Sequence, residues 1–228
     1  MTGKNVYQFA IANWGEYKTT VSVASKSSSG MPLVESDFEI YNFDTICQSL
    51  FPGTENPTSA DGIHFSNNNI QLIEFKSGFK QKITKNNFDI EQAKCDETGK
   101  VCDAYWELFW DNQKRKIREL ISLIRLKAIE SYVVLEKHIL PACDDNQTGK
   151  YSRMKFTVVI DEDSVDGIED TLAELSGTEP ETNNALISVR QALKRLSNCR
   201  DLEGHTYFYD EIEVLTAKDY KNLIKLAM

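Results

Sequence analysis

Residues 60–76 carry the pattern of a β-hairpin. Two runs rich in apolar residues, 60–65 and 70–76, flank a cluster of three asparagines at 67–69. Asparagine tolerates the positive φ angles that tight hairpin turns need, so the cluster predicts the turn and the runs predict its two strands. An antiparallel strand pair is therefore expected here, and it dictates which side chains share a face.

The register of this hairpin brings two acids together. With a two-residue loop at Asn67 and Asn68, Asp61 falls opposite Glu74, and both share a face with Lys76 because side chains alternate along a strand. Opposed side chains have Cβ atoms about 4.5–5.5 Å apart, where like charges repel. A hard divalent cation with oxygen ligands is the natural counter-ion. The same face carries four apolar residues, Ile63, Phe65, Ile70 and Leu72.

This arrangement resembles the PD-(D/E)xK nuclease superfamily, which has a restriction-endonuclease-like or Holliday-junction-resolvase-like core. The family pattern is an acid, a spacer and then hydrophobic-Glu-x-Lys on a hairpin, matched here by Asp61, Glu74 and Lys76. The match covers residues 61–76 by motif and about 35–155 by the order of elements. It departs at Ala60, because the nearest proline is Pro57.

The resemblance implies a metal-dependent nuclease that hydrolyses phosphodiester bonds of nucleic acid, with DNA favoured over RNA. It implies that Asp61, Glu74 and the backbone carbonyl of Phe75 hold Mg²⁺ or Mn²⁺, and that Lys76 orients or activates the attacking water. It also implies an α-β-β-β-α-β core.

An acid-x-Lys triplet alone has little specificity, since the chain also contains Glu16-Tyr17-Lys18 and Asp219-Tyr220-Lys221. Only the triplet at 74–76 ends an apolar strand and has an acid at hairpin distance. The alternative interpretation is a surface hairpin in which Glu74 and Lys76 form an exposed ion pair worth about 0–1 kcal/mol.

The segment before the hairpin predicts a helix with a further acid. Ser36-Asp37-Phe38-Glu39 fits a capping box, and Pro52-Gly53 predicts the helix end. The family often draws an additional acid from this helix. The candidates by position are Glu39 and Asp44, with Glu35 behind them; their alternative role is helix solvation and capping.

The remaining pattern predicts a mixed α/β sheet. Partial alternation over residues 6–24 predicts an N-terminal hairpin. Helical spacing from residue 103 to about 139 predicts a long helix, and 154–160 a buried strand. We expect a nuclease-like core over residues 1–160 and an acidic α/β extension over 161–228, packed on the same core. In the extension we expect helices near 165–175 and 185–198, a strand or hairpin near 205–215, and a last helix opened by Thr216.

The net charge of −9 is unevenly distributed. Residues 74–127 carry 12 Lys/Arg and nine Asp/Glu, whereas residues 161–228 carry seven and fifteen. Screening acts over about 8–10 Å at physiological salt, so for nucleic-acid binding the local sign of the charge matters more than the total. Lys114, Arg118 and Arg125 on the long helix are candidate nucleic-acid contacts; the alternative is a solvated helix face.

The acidity also favours a second reading, in which a nuclease-like fold acts as a nucleic-acid- or protein-binding module. The acidic part would then dock a protein partner or a second copy of the chain.

Five irregularly spaced cysteines and three scattered histidines argue against a structural zinc site. The N-terminus lacks the pattern of a signal peptide, and no apolar run reaches membrane-span length, so we expect a cytoplasmic protein.

Overall fold

The computed structural model describes residues 6–27, 30–53, 55–66, 69–77, 103–143, 153–161 and 185–227. Its centre is a six-stranded sheet in which neighbouring strands follow the order of the chain. The first four strands are antiparallel, and the last two continue parallel to the fourth. The strands are β1 Lys18–Thr20, β2 Glu39–Asn42, β3 Gly62–Ser66, β4 Asn69–Lys76, β5 Arg153–Ile160 and β6 Glu211–Thr216. A mixed α/β fold is confirmed.

Helices cover both faces of the sheet. They are α1 Val6–Asn13, α2 Val21–Ala24, α3 Phe43–Leu50, α4 Asp103–Val134, α5 Ala185–Asn198 and α6 Ala217–Ala227. Helix α4 continues through a π-helical turn, Leu135–Ile139, into a 3₁₀ turn, Leu140–Cys143. Side chains of α1, α3, α4 and α5 enter the larger apolar cluster, whereas α2 and α6 contribute to the smaller one on the opposite face. In the described part of the chain, no helix has the length and apolarity needed to cross a membrane.

The predicted hairpin register is confirmed. Phe65 pairs with Ile70 and Ile63 with Leu72, and all four lie in the larger cluster. Phe75 lies in the smaller cluster on the other face. A slip of one residue would move the whole apolar set to the wrong face, which explains why the pattern was informative. The two predicted loop residues, 67 and 68, lie outside the described residues.

The predicted helix start at residue 36 is wrong. Residues Glu39–Asn42 form β2, which pairs with β1 and β3. Ile40 is buried in the smaller cluster and Tyr41 in the larger one, so burial on both sheet faces outweighs the local capping signal. Helix α3 begins at Phe43, where the Asn42 side chain accepts the backbone N–H of Thr45 at 2.9 Å. The predicted end before Pro52 is confirmed.

The predicted N-terminal hairpin is also wrong, because residues 6–13 form α1. Val6 and Ala10 are its buried residues, and their spacing of four places both on one helical face. Large apolar residues at every second position, Tyr7, Phe9 and Ile11, misled the prediction, since Tyr7 and Ile11 are exposed.

The C-terminal part joins the same sheet through β6 and the same apolar cluster through α5. The predicted helices at 185–198 and after Thr216 are confirmed, and Thr216 accepts the backbone N–H of Asp219 at 3.1 Å. The predicted strand near 205–215 begins only at Glu211. The predicted helix near 165–175 lies outside the described residues.

Tyr209, which precedes β6, also contacts the long helix. Its buried hydroxyl donates a hydrogen bond of 2.6 Å to the backbone carbonyl of Ala128, and its ring lies against Tyr132 and Phe156. Since Phe156 pairs with Leu72 on β4, residues 128–132 of α4 lie over the middle of the sheet.

Candidate functional site at the carboxyl end of strand β4

The predicted acids and lysine meet at the carboxyl end of β4. Glu74 and Lys76 belong to this strand, and Asp61 lies directly before β3. Asp61 Oδ2 accepts a hydrogen bond of 2.6 Å from the backbone N–H of Phe75. The Glu74 side chain is fully buried, while those of Asp61 and Lys76 are 27% and 21% exposed. The cluster therefore has a buried floor and a solvent-accessible rim.

A second lysine, from α4, completes the cluster. Lys127 Nζ lies 2.9 and 3.0 Å from the two carboxylate oxygens of Glu74 and 3.3 Å from Asp61 Oδ1. Lys76 Nζ lies 2.7 Å from Glu74 Oε1. Two ammonium groups thus face two carboxylates at the end of the central strand pair.

Sequence reasoning counted Lys127 only among the charges along the helix. A signal was present, because Lys127 follows Ile124 by three residues and directly precedes Ala128, both of which are fully buried. A charge at the edge of a buried apolar stripe can reach the sheet, and where it is taken out of water there it needs a partner. The acids at the end of the hairpin are that partner.

The electrostatics of the cluster follow from burial. Burial raises the pKa of Glu74 to about 7, the charge of Asp61 acts in the same direction, and Lys76 and Lys127 oppose both. Burial alone would lower the pKa of Lys127, but Glu74 and Asp61 outweigh it and raise that pKa. Lys127 therefore stays protonated, whereas Glu74 can gain or lose a proton near neutral pH.

The donor set fits a divalent cation in charge and atom type. Glu74 Oε1 is buried and, despite two nearby ammonium groups, receives no well-aligned hydrogen bond. Asp61 Oδ1 converges with it on the same Lys127 nitrogen. Two carboxylate oxygens around one cationic point are what Mg²⁺ or Mn²⁺ takes in proteins.

The structure does not bring two of the three candidate acids to this cluster. Glu39 lies on β2 with 69% of its side chain exposed, and it pairs with Lys18 at 3.2 Å. Glu35 is exposed in the segment before β2.

The third candidate, Asp44, contacts Ser59, which precedes Asp61 by two residues. Its Oδ1 accepts a hydrogen bond of 2.6 Å from Ser59 Oγ, and its Oδ2 one of 2.8 Å from Gln48 Nε2. The backbone N–H of the preceding residue, Phe43, donates to the Asp61 carbonyl at 3.3 Å. Because both oxygens of Asp44 are engaged, its contacts favour a role in holding the chain next to Asp61.

Two of the three predicted nucleic-acid contacts, Arg118 and Arg125, lie on the side of the helix away from the cluster. Arg118 and Arg125 precede Lys127 by nine and two residues, and at about 100° per residue they lie about 160–180° around the helix from it. Arg118 is exposed and Arg125 is half-buried. The side chain of Lys114 lies outside the described residues.

A separate group of ligand types lies in the loop before β6. Ligand atoms of Asp201, Glu203 and His205 lie within 4.8 Å of one another, and all three residues are exposed. Asp201 Oδ1 accepts the backbone N–H groups of Glu203 and His205 at 2.9 and 2.8 Å. The turn geometry accounts for this proximity without an ion.

Comparison of the chain with protein-family models, curated proteins and solved structures finds no match. Function is therefore inferred from the geometry and chemistry of the cluster.

Proposed function

We propose that the protein is a metal-dependent nuclease that hydrolyses phosphodiester bonds of nucleic acid, with DNA as the favoured substrate. The observation that carries the proposal is the convergence of Asp61 and the buried Glu74 on one cationic position, with Lys76 beside it. Glu74 Oε2 accepts a hydrogen bond from Lys127, but Oε1 is buried without a well-aligned donor. Burying such an oxygen is costly to a fold, and a group of this kind is more often kept for chemistry than for stability.

The topology supports the same reading. Strands β2, β3 and β4 form an antiparallel meander, the long helix follows, and β5 returns parallel to β4. Apart from helix α3, which lies between β2 and β3, this agrees with the α-β-β-β-α-β order implied by the resemblance to PD-(D/E)xK nucleases. The restriction-endonuclease-like core is part of the proposal.

In the proposed mechanism, Asp61, Glu74 and the Phe75 carbonyl hold Mg²⁺ or Mn²⁺. The bound ion supplies Lewis-acid polarisation of a phosphate oxygen and lowers the pKa of water. Lys76 Nζ, held by Glu74 at 2.7 Å, donates hydrogen bonds that orient the attacking water or stabilise charge on the phosphate. Lys127 pairs with both carboxylates in the free protein, and its protonated amine is a second donor for the substrate.

A cleavage assay tests the proposal. The full-length protein with Mg²⁺ or Mn²⁺ should nick or degrade at least one of supercoiled plasmid, linear duplex DNA, single-stranded DNA and RNA, and EDTA should abolish this. Glu74→Gln is the control, because it keeps the side-chain shape and removes the ligand charge. If all four substrates survive while a positive-control nuclease works, the proposal fails.

One observation favours the binding-module alternative. Lys76 and Lys127 already balance the charges of Asp61 and Glu74, so the cluster can persist as an ion network without a metal. Under this reading the acidic residues of 161–228 dock a basic protein partner or a second copy. The binding-module alternative would be supported if the protein bound nucleic acid or a protein partner but cleaved no substrate in the presence of Mg²⁺ or Mn²⁺.

A further inference from the structure

Residues 58–61 lie outside any strand, and hydrogen bonds to side chains hold this segment, which ends at Asp61. Thr58 donates from its backbone N–H and its hydroxyl to Glu130 Oε2, at 2.5 and 2.7 Å. The backbone N–H of Ala60 donates to Ser131 Oγ at 2.8 Å. Strand β3 begins only at Gly62, so side chains supply the hydrogen bonds that a sheet partner would otherwise provide.

These anchors belong to the same helical face as Lys127. Residues three and four positions apart lie next to each other on a helix, so Glu130 and Ser131 follow Lys127 on one side of α4. Lys127 contacts the Asp61 carboxylate, while the other two contact the backbone just before it. One helix face thus sets both the path of the chain and the position of its acid.

The two anchors differ in burial. Ala60 and Ser131 are both fully buried, so their hydrogen bond satisfies a backbone N–H that water cannot reach. Thr58 is exposed and Glu130 is half-buried, so their contact lies near the surface, where loss of a hydrogen bond is easily replaced by water. The contact between Thr58 and Glu130 therefore contributes less to folding than to the path of the backbone over residues 58–61.

We infer that Glu130 and Ser131 are positioning residues that hold Asp61 at the distance from Glu74 at which both carboxylates take one divalent cation. The inference rests on the proposed function, since it assigns a role at the same cluster. Partners that orient a metal ligand typically change metal affinity by about 10–100-fold when they are removed. Neither residue needs to touch the ion for this effect.

Direct titration of the full-length protein with Mn²⁺, followed by the electron paramagnetic resonance signal of the free ion, tests the inference. Glu130→Ala should weaken Mn²⁺ binding by about 10-fold or more with a melting temperature close to that of the wild type. Glu130→Gln keeps an acceptor oxygen for Thr58 and should restore most of the affinity. Glu119→Ala, which removes a carboxylate from an exposed position on the same helix, is the matched control and should bind as the wild type does.

Thr58→Val gives an independent test from the other partner. It removes the hydroxyl donor and keeps the backbone N–H, so it should weaken Mn²⁺ binding less than Glu130→Ala does. If the wild type binds Mn²⁺ and neither variant changes the affinity, the inference is overturned while the proposed function stands. If the wild type binds no Mn²⁺, the proposed function fails and the inference falls with it.

Discussion

The carboxylate of Asp61 accepts a 2.6 Å hydrogen bond from the backbone N–H of Phe75, the residue between Glu74 and Lys76. This bond uses Oδ2 and leaves Oδ1 directed at Lys127. It ties the chain before β3 to the end of β4 where the ladder between the two strands has ended. The acid is therefore held by the backbone of the neighbouring strand, and one of its oxygens remains for a cation.

Asp61→Asn should preserve the fold and weaken divalent binding. The asparagine carbonyl can still accept from Phe75, whereas the charge that faces Lys127 is lost. Divalent cations stabilise the native state by mass action, so Mg²⁺ should raise the melting temperature of the wild type and raise that of the variant much less. Thermal melts with and without Mg²⁺ measure this.

Asp61→Ala provides the contrast, because it also removes the acceptor. A hydrogen bond to a charged group is worth about 1.5–3 kcal/mol, and the free energy of unfolding should fall by about that amount. Equal loss of stability in Asp61→Asn and Asp61→Ala would contradict the assignment and make Asp61 a purely structural residue.

Stability should depend on pH through Glu74. Its pKa rises from 4.5 to about 7 on folding, so the folded state prefers the protonated form. This preference contributes fully below about pH 4.5 and is lost as pH rises to about 7. In metal-free buffer, the wild type should therefore lose on the order of 1–3 kcal/mol across this range on account of Glu74.

Glu74→Gln removes that titration. Urea denaturation at about pH 5 and about pH 8 should show a stability advantage of the variant over the wild type that is larger at the higher pH. Parallel pH profiles for the two proteins would show that Glu74 does not titrate in this window.

The two lysines should behave differently. Lys127→Met leaves two carboxylates with only Lys76, and removing one partner of a buried pair costs up to about 3–5 kcal/mol. The loss of stability in Lys127→Met should be largest above pH 7, where Glu74 is ionised, and Mg²⁺ should restore much of this stability by replacing the missing charge.

Lys76→Met, in contrast, should keep the Mg²⁺ effect on melting temperature and lose cleavage. Failure of Mg²⁺ to stabilise Lys127→Met more than the wild type would contradict the cation site.

Close packing at Gly62 should be sensitive to one added methyl group. A Cβ there would lie 2.6 Å from Ile40 Cδ1, and Ile40 is fully buried. Gly62→Ala should cost about 1–3 kcal/mol of unfolding free energy through overpacking. Ile40→Val removes Cδ1, so the double variant should be more stable than the sum of the single effects predicts. Chemical denaturation of the four proteins closes this cycle, and simple additivity would contradict the contact.

The sequence predicted those parts of the fold in which local pattern and burial agree. The alternation over residues 60–76 yielded the correct register, because one face of the hairpin is buried under α4. The stripe through Ile124 and Ala128 yielded the long helix for the same reason.

The failures occur where tertiary contacts outweigh local signals. Residues Glu39–Asn42 were predicted to belong to a helix. They form strand β2, which pairs with β1 on one side and β3 on the other, and no local pattern reveals this pairing. Lys127 is 53 residues from Glu74 and 66 from Asp61, so its role depends on how α4 crosses the sheet. The separation of Arg118 from the cluster depends on the same crossing.

The contact between Tyr209 and Ala128 bears on how the chain can be shortened. Ala128 is adjacent to Lys127, so the acidic C-terminal part supports the helix turn that carries the second lysine. A chain ended after Ile160 would lose this support and would expose the edge of β5 along its pairing with β6. Unpaired strand edges promote aggregation, so such a fragment would serve poorly as a minimal version of the protein.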